Sequence, residues 1–135
     1  MLDLVKKVRE EFLADSTIVD LVGERIYWAF KPVGNTSNDY PQLTLLVNDN
    51  ETDSLDNDQT PELEVHIWTK GDGRVTKAHE IAKRILLNID VAAFDAPELC
   101  IYQIWKEKSI DIYEDDTQTF HKVIIFNVVM TGYSE

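Results

Sequence analysis

A chain of 135 residues, 44% of them hydrophobic, is long enough to bury one core without disulfides or bound metals. Its 25 acidic residues against 13 basic ones leave a net charge of −12 and a pI near 4.5, which excludes the basic footprint that a sequence-reading nucleic-acid partner needs. The single cysteine, Cys100, excludes an intramolecular disulfide, and its apolar neighbours Leu99 and Ile101 mark a buried thiol, not an activated one.

Taken in order, Leu2 to Leu13 carries an apolar stripe of Val5, Val8 and Phe12. The charges at Asp3, Lys6, Lys7, Arg9, Glu10 and Glu11 make it an amphipathic helix and not a signal peptide. Asp15-Ser16 is an N-cap signal for a short second helix through Ile18 and Val22, and Gly23 is its natural stop. Arg25 to Phe30 alternates, with Ile26, Trp28 and Phe30 on one side, and predicts a strand. Lys31 to Tyr40 is a loop rich in Pro, Gly, Asn and Ser, after which Pro41 opens a strand over Leu43–Asn48.

The segment 49–60 holds Asp49, Glu51, Asp53, Asp56 and Asp58 with one aliphatic residue, Leu55, and predicts a mobile acidic loop. It fails as an EF-hand. Counted from Asp49, the sixth position is Ser54 where Gly is needed, and the twelfth is Thr60 where Glu is needed.

Pro61 to Ile89 is the centre of the chain. Leu63, Val65, Ile67 and Thr69 alternate with Glu62, Glu64, His66 and Trp68, the period of a strand with one buried face. Lys70 to Gly73 is a glycine turn. Val75, Ala78, Ile81, Ala82, Ile85, Leu86 and Ile89 then fall on one arc of a helix. After a connection over Asp90–Glu98, Leu99 to Trp105 is strand-like, and Ser109 to Tyr113 continues or re-enters that strand. Phe120 to Thr131 is a long strand apolar on both faces, with Phe120, Ile124, Phe126, Val128 and Met130 on one and His121, Val123, Ile125 and Val129 on the other. Such a strand is covered on both faces, by helices or by a second subunit. The whole predicts a single α+β domain over residues 1–135, with about five to six strands, two N-terminal helices and one central amphipathic helix.

Catalytic and metal-binding patterns are absent from the spacing. His66, His79 and His121 lie on different elements, and no local spacing makes them converge on a metal. His79-Glu80 opens like a zinc-protease helix, but Lys83 stands where the second histidine belongs. Gly71-Asp72-Gly73 precedes a helix, where Asp72 repels a phosphate and is expected to cap the helix. No catalytic, cofactor-binding or metal residue is assigned. The candidate contact residues are Trp68, Leu87, Phe120, Val123, Ile125 and Val129: a tryptophan on a wet strand face, a leucine on the polar side of a helix, and the two-faced last strand. Trp68 reads equally as a side chain packed under a loop.

In order, the chain shows an N-terminal helix, then Asp15-Ser-Thr-Ile-Val-Asp-Leu-Val-Gly-Glu-Arg-Ile-Tyr27, and Tyr40-Pro41 opening a strand. There follow Leu63-Glu-Val-His-Ile-Trp68, Gly-Asp-Gly, a helix with Ala78-His-Glu-Ile-Ala82 and Leu86, and a final His121-Lys-Val-Ile-Ile-Phe-Asn-Val128. Over nearly its whole length this order resembles the tail-completion, or tail terminator, proteins of long-tailed bacteriophages. The resemblance implies helices against a largely antiparallel sheet and a hexameric ring on the head-proximal end of the tail tube. It implies contacts with the tail tube protein and the head connector, DNA passing through without specific binding, no cofactor and no catalytic residue. The site would be the virion tail, assembled in the bacterial host cytoplasm from a phage or prophage gene. The acidic residues Asp49 to Asp58 depart from the pattern and leave open whether they face the lumen. A head-completion adaptor or minor capsid protein is the alternative, and a small enzyme or ligand-binding domain a more distant one.

Overall fold

The computed structural model describes residues 2–28, 40–48, 58–92, 101–114 and 117–131. Helices α1 (Leu2–Leu13) and α2 (Ser16–Val22) lead into strands β1 (Ile26–Trp28), β2 (Gln42–Asn48), β3 (Asp58–Gln59) and β4 (Glu62–Lys70). Helix α3 (Arg74–Ala92) and strands β5 (Ile101–Glu114) and β6 (Thr119–Thr131) follow. This is an α+β fold with a mixed sheet. Among the described residues only β1 and β2 pair in parallel; β2–β4, β4–β6 and β5–β6 are antiparallel. The short β3 extends the line of β4 along the same side of β6.

The local chemistry of each helix end explains where the chain turns. The Asp15 carboxylate accepts from the Thr17 and Ile18 amides, so α2 starts there, as its sequence predicts. Gly23 ends it at φ +65°, with its N–H bonded to the Val19 carbonyl. At α3 the expectation is corrected. The first helical carbonyl is that of Gly73, which accepts from the Lys77 N–H at 2.9 Å. Gly73, at φ +74°, therefore holds the cap position, and Asp72 stands exposed one residue outside it.

All three helices pack on one face of the sheet. Leu4, Val8 and Phe12 of α1, Ile18 and Val22 of α2, and Ala78, Ile81 and Ile85 of α3 meet Ile26, Leu43, Leu45, Leu63, Val65, Ile67, Ile124 and Phe126 in one core. Arg9 Nε donates to the Ile26 carbonyl and Arg25 Nε to the Pro41 carbonyl, each at 2.8 Å, which ties the helical corner to the sheet margin. Phe120 lies in this core with no exposed surface. It is therefore a packing residue, and its candidacy as a contact residue is withdrawn. Trp28 shares the parity of Ile26 but is exposed, and Phe30 lies outside the described residues.

The two strand-like segments expected at Leu99–Trp105 and Ser109–Tyr113 are one continuous strand from Ile101, bent by a register shift between Lys106 and Lys108. Cys100 and the acidic residues Asp49, Glu51, Asp53 and Asp56 lie outside the described residues, and of Asp58 only the backbone, in β3, is described.

Candidate functional site

The face of the sheet opposite the helices carries no helix among the described residues. Strand alternation decides which side chains it shows. From β2 these are Gln42, Thr44 and Leu46; from β4, Glu64, His66 and Trp68; from β6, His121, Val123 and Ile125; from β5, Ile110 and Ile112. Registers place Trp68 opposite His121, His66 opposite Val123, and Ile110 and Ile112 opposite Val123 and His121. Val123 and Ile125 are buried between these rows. Val129 is half-buried further along the same strand. The β5 side is open: Ile110 is 41% exposed, Ile112 39% and Trp105 39%. Leu87 projects from α3, on the other side of the molecule, and is also exposed.

A polar cluster sits inside this apolar face. The His66 Nδ1 and His121 Nε2 atoms are 2.7 Å apart, and His66 Nε2 donates to the Glu64 Oε1 at 2.9 Å. The second oxygen of Glu64 accepts from Asn48 Nδ2. The Trp68 ring stacks on His121 with centroids 3.6 Å apart and planes 12° from parallel, and its indole N–H donates to Thr44 Oγ1 at 3.2 Å. Trp68 is thus a half-buried member of a ring stack. Burial, and then the charge of the neighbouring His66, hold the His121 imidazole down at about 4, against an upward pull from Glu114. Two histidines that no spacing brings together are therefore in direct contact. The missing information was register, since alternation alone assigns each to a face but not to a partner. His79 is exposed on α3, near Phe120.

No group of three or more potential metal ligands converges among the described residues. No helix among them is long and apolar enough to cross a membrane. Beside the start of α3 a cleft is lined by Lys70, Arg74 and Lys77 as well as by Asp72.

Against solved structures, a chain from the virion of a native gene transfer agent particle matches with a TM-score of 0.70, over 96% of this chain and 95% of that one, at 15% identity. The chain has the fold of a virion protein. The bacteriophage SPP1 gp17 protein matches with a TM-score of 0.54, over 93% of this chain and 86% of that one, at 17% identity. At such identities the likeness is one of fold, and at that level it agrees with the phage-protein resemblance carried by the sequence. No protein-family model and no curated protein matches the sequence.

Proposed function

We propose that this chain is a structural virion protein of the tail-completion type, which assembles with copies of itself into a ring, caps the tail tube and joins tail to head. The observation that carries the reading is the fold shared, over nearly the full length of both chains, with a component of a virion. The sheet supports it. A face without helices among the described residues presents Ile110, Ile112 and Trp105 to solvent, on a chain whose net charge of −12 otherwise favours keeping copies apart. The contact surface in this reading includes Trp68, Val123, Ile125 and Val129, with Leu87 as a separate contact on α3. Its partners are further copies, the tail tube protein and the head connector.

The work is done by surface complementarity, with no catalytic step and no cofactor. A ring of so acidic a chain surrounds its channel with carboxylates, and a wall of the same sign as the phosphates lets DNA pass without sticking. The deciding experiment is deletion of the gene in the parent phage or prophage. Filled heads should accumulate beside unattached tails of irregular length. Heads that leak DNA beside tails of uniform length would instead identify a head-completion adaptor.

A further inference from the structure

The His66–His121 contact constrains how many protons the sheet face can hold. With Glu64 ionised, His66 Nε2 must carry a hydrogen to make its 2.9 Å bond to Oε1. In the neutral pair, His66 Nδ1 then accepts from His121 Nε2–H across 2.7 Å. One added proton is accommodated without loss. Placed on His66 Nδ1, it makes that ring a donor to both Glu64 and His121, whose hydrogen moves to its Nδ1. A second added proton is not. Both rings are then imidazolium, two N–H groups face each other across the same gap, and the bond between them is lost.

The surroundings decide which ring moves. His121 lies against the Trp68 face at 3.6 Å, and a charged imidazolium gains from that contact. His66 is held on its far side by Glu64 and lies further from the Trp68 ring, with centroids 6.4 Å apart. Among the described residues, the charged and titratable groups on this face are Glu62, Glu64 and Lys70 on β4, Glu107, Lys108 and Glu114 on β5 and, further out, Tyr27 on β1; β2 contributes the uncharged Thr44 and Leu46. No carboxylate among them is placed to separate the two rings, since Glu64 bonds the far side of His66, Glu62 and Glu107 lie at Asn127, and Glu114 lies opposite Thr119.

We propose that His66 and His121 form a proton-counting latch on the helix-free sheet face, closed with at most one added proton and opened by a second, and that opening it releases the contact this face makes with a second copy of the chain. The release rests on the self-association read above; the latch itself does not. The low value of about 4 for His121 places the opening in acid.

Nitrogen-detected NMR of the two imidazoles, on the intact chain, tests the latch. His121 should stay neutral from pH 7 to 5 and charge near 4. The ring-to-ring contact of His66 with His121 should vanish in step, while that of Trp68 with His121 persists. In His66→Gln the like-charged neighbour is gone, and the His121 midpoint should rise. A wild-type His121 midpoint near 6.5, an unmoved midpoint in His66→Gln, or two charged rings still in contact would overturn the latch. Light scattering tests the release. The mass at pH 7 should exceed one chain and fall as His121 charges, and His121→Gln should hold its mass to lower pH. A monomer at pH 7 overturns the self-association reading and the release with it. An oligomer whose mass outlasts the charging of His121 overturns the release alone.

Discussion

Asp15 and Arg84 stand 69 positions apart and meet through a guanidinium–carboxylate contact, with Arg84 Nη2 3.1 Å from Asp15 Oδ2 and Arg84 Nε 3.2 Å from both oxygens. The same carboxylate caps α2 and accepts from Asn88 Nδ2 at 3.1 Å, so one buried side chain ties the α1–α2 corner to α3. Asp15→Ala should cost about 2–3 kcal/mol, the sum of a lost cap and a lost charged hydrogen-bond acceptor. Arg84→Ala should cost less, about 1 kcal/mol, because the Asp15 carboxylate keeps the Asn88 side chain and the Thr17 and Ile18 amides as donors. Urea unfolding of both variants checks the order; equal costs would count against Asp15 as the shared anchor.

Acid should weaken the fold in two stages. For His121 the folded value of about 4 lies below the ordinary 6.5, so between those pH values the unfolded chain binds the extra proton and stability falls as pH falls. The loss is up to about 3 kcal/mol, from the size of the shift. For Asp15, burial raises the carboxyl, but the hydrogen bonds from Asn88, Arg84 and the Ile18 amide outweigh it and hold it below 3.8. Its contribution is intact above 3.8 and disappears as pH drops through the lowered value. Urea midpoints at pH 7, 5.5, 4.5 and 3 should show a first decline that His121→Gln removes and a second that it leaves.

Lys122 and Asp111 should respond unequally to substitution. Lys122 is buried on β6, and its Nζ lies 2.8 Å from Asp111 Oδ1, which remains partly in solvent. Asp111→Ala strands a buried ammonium and should cost about 2–3 kcal/mol. Lys122→Met leaves a carboxylate that water can reach and should cost less than half of that. Chemical denaturation of the two variants reads the difference, and a costlier Lys122→Met would refute the asymmetry.

Much of this architecture is written in local patterns. Asp15 and Gly23 bracket α2, and the alternation of Leu63 to Thr69 followed by the Val75–Ile89 arc defines β4 and α3. What local pattern misses is set by pairing. Lys106-Glu107-Lys108 interrupts the apolar alternation of β5, so the sequence leaves open whether Ser109–Tyr113 continues the strand or re-enters it. At two residues, β3 is too short for any period. Phe120 sits at the end of a two-faced strand, and only the position of the helices shows which face is core. The His66–His121 contact required the β4–β6 register, which alternation cannot supply. The fold of the centre was therefore legible, whereas the candidate site was legible only as a set of faces.

The contact surface itself can be tested at β5. Ile110 and Ile112 lie on the helix-free face, point away from the core and are well exposed, so a carboxylate at either position remains hydrated and the fold should lose no more than about 0.5 kcal/mol. Among the described residues, β5 pairs with β6 alone, which leaves its outer edge and these side chains for a neighbour. A contact between copies buries them, and each of its Ile→Glu changes then buries a charge without a partner, on a chain already at −12. Ile110→Glu and Ile112→Glu should thus remain folded by circular dichroism but lose self-association by at least about tenfold, from the cost of desolvating one unpaired charge. In the parent phage the same variants should reproduce the deletion, with filled heads beside unjoined tails. Normal particle yield from the double variant would remove β5 from the contact surface.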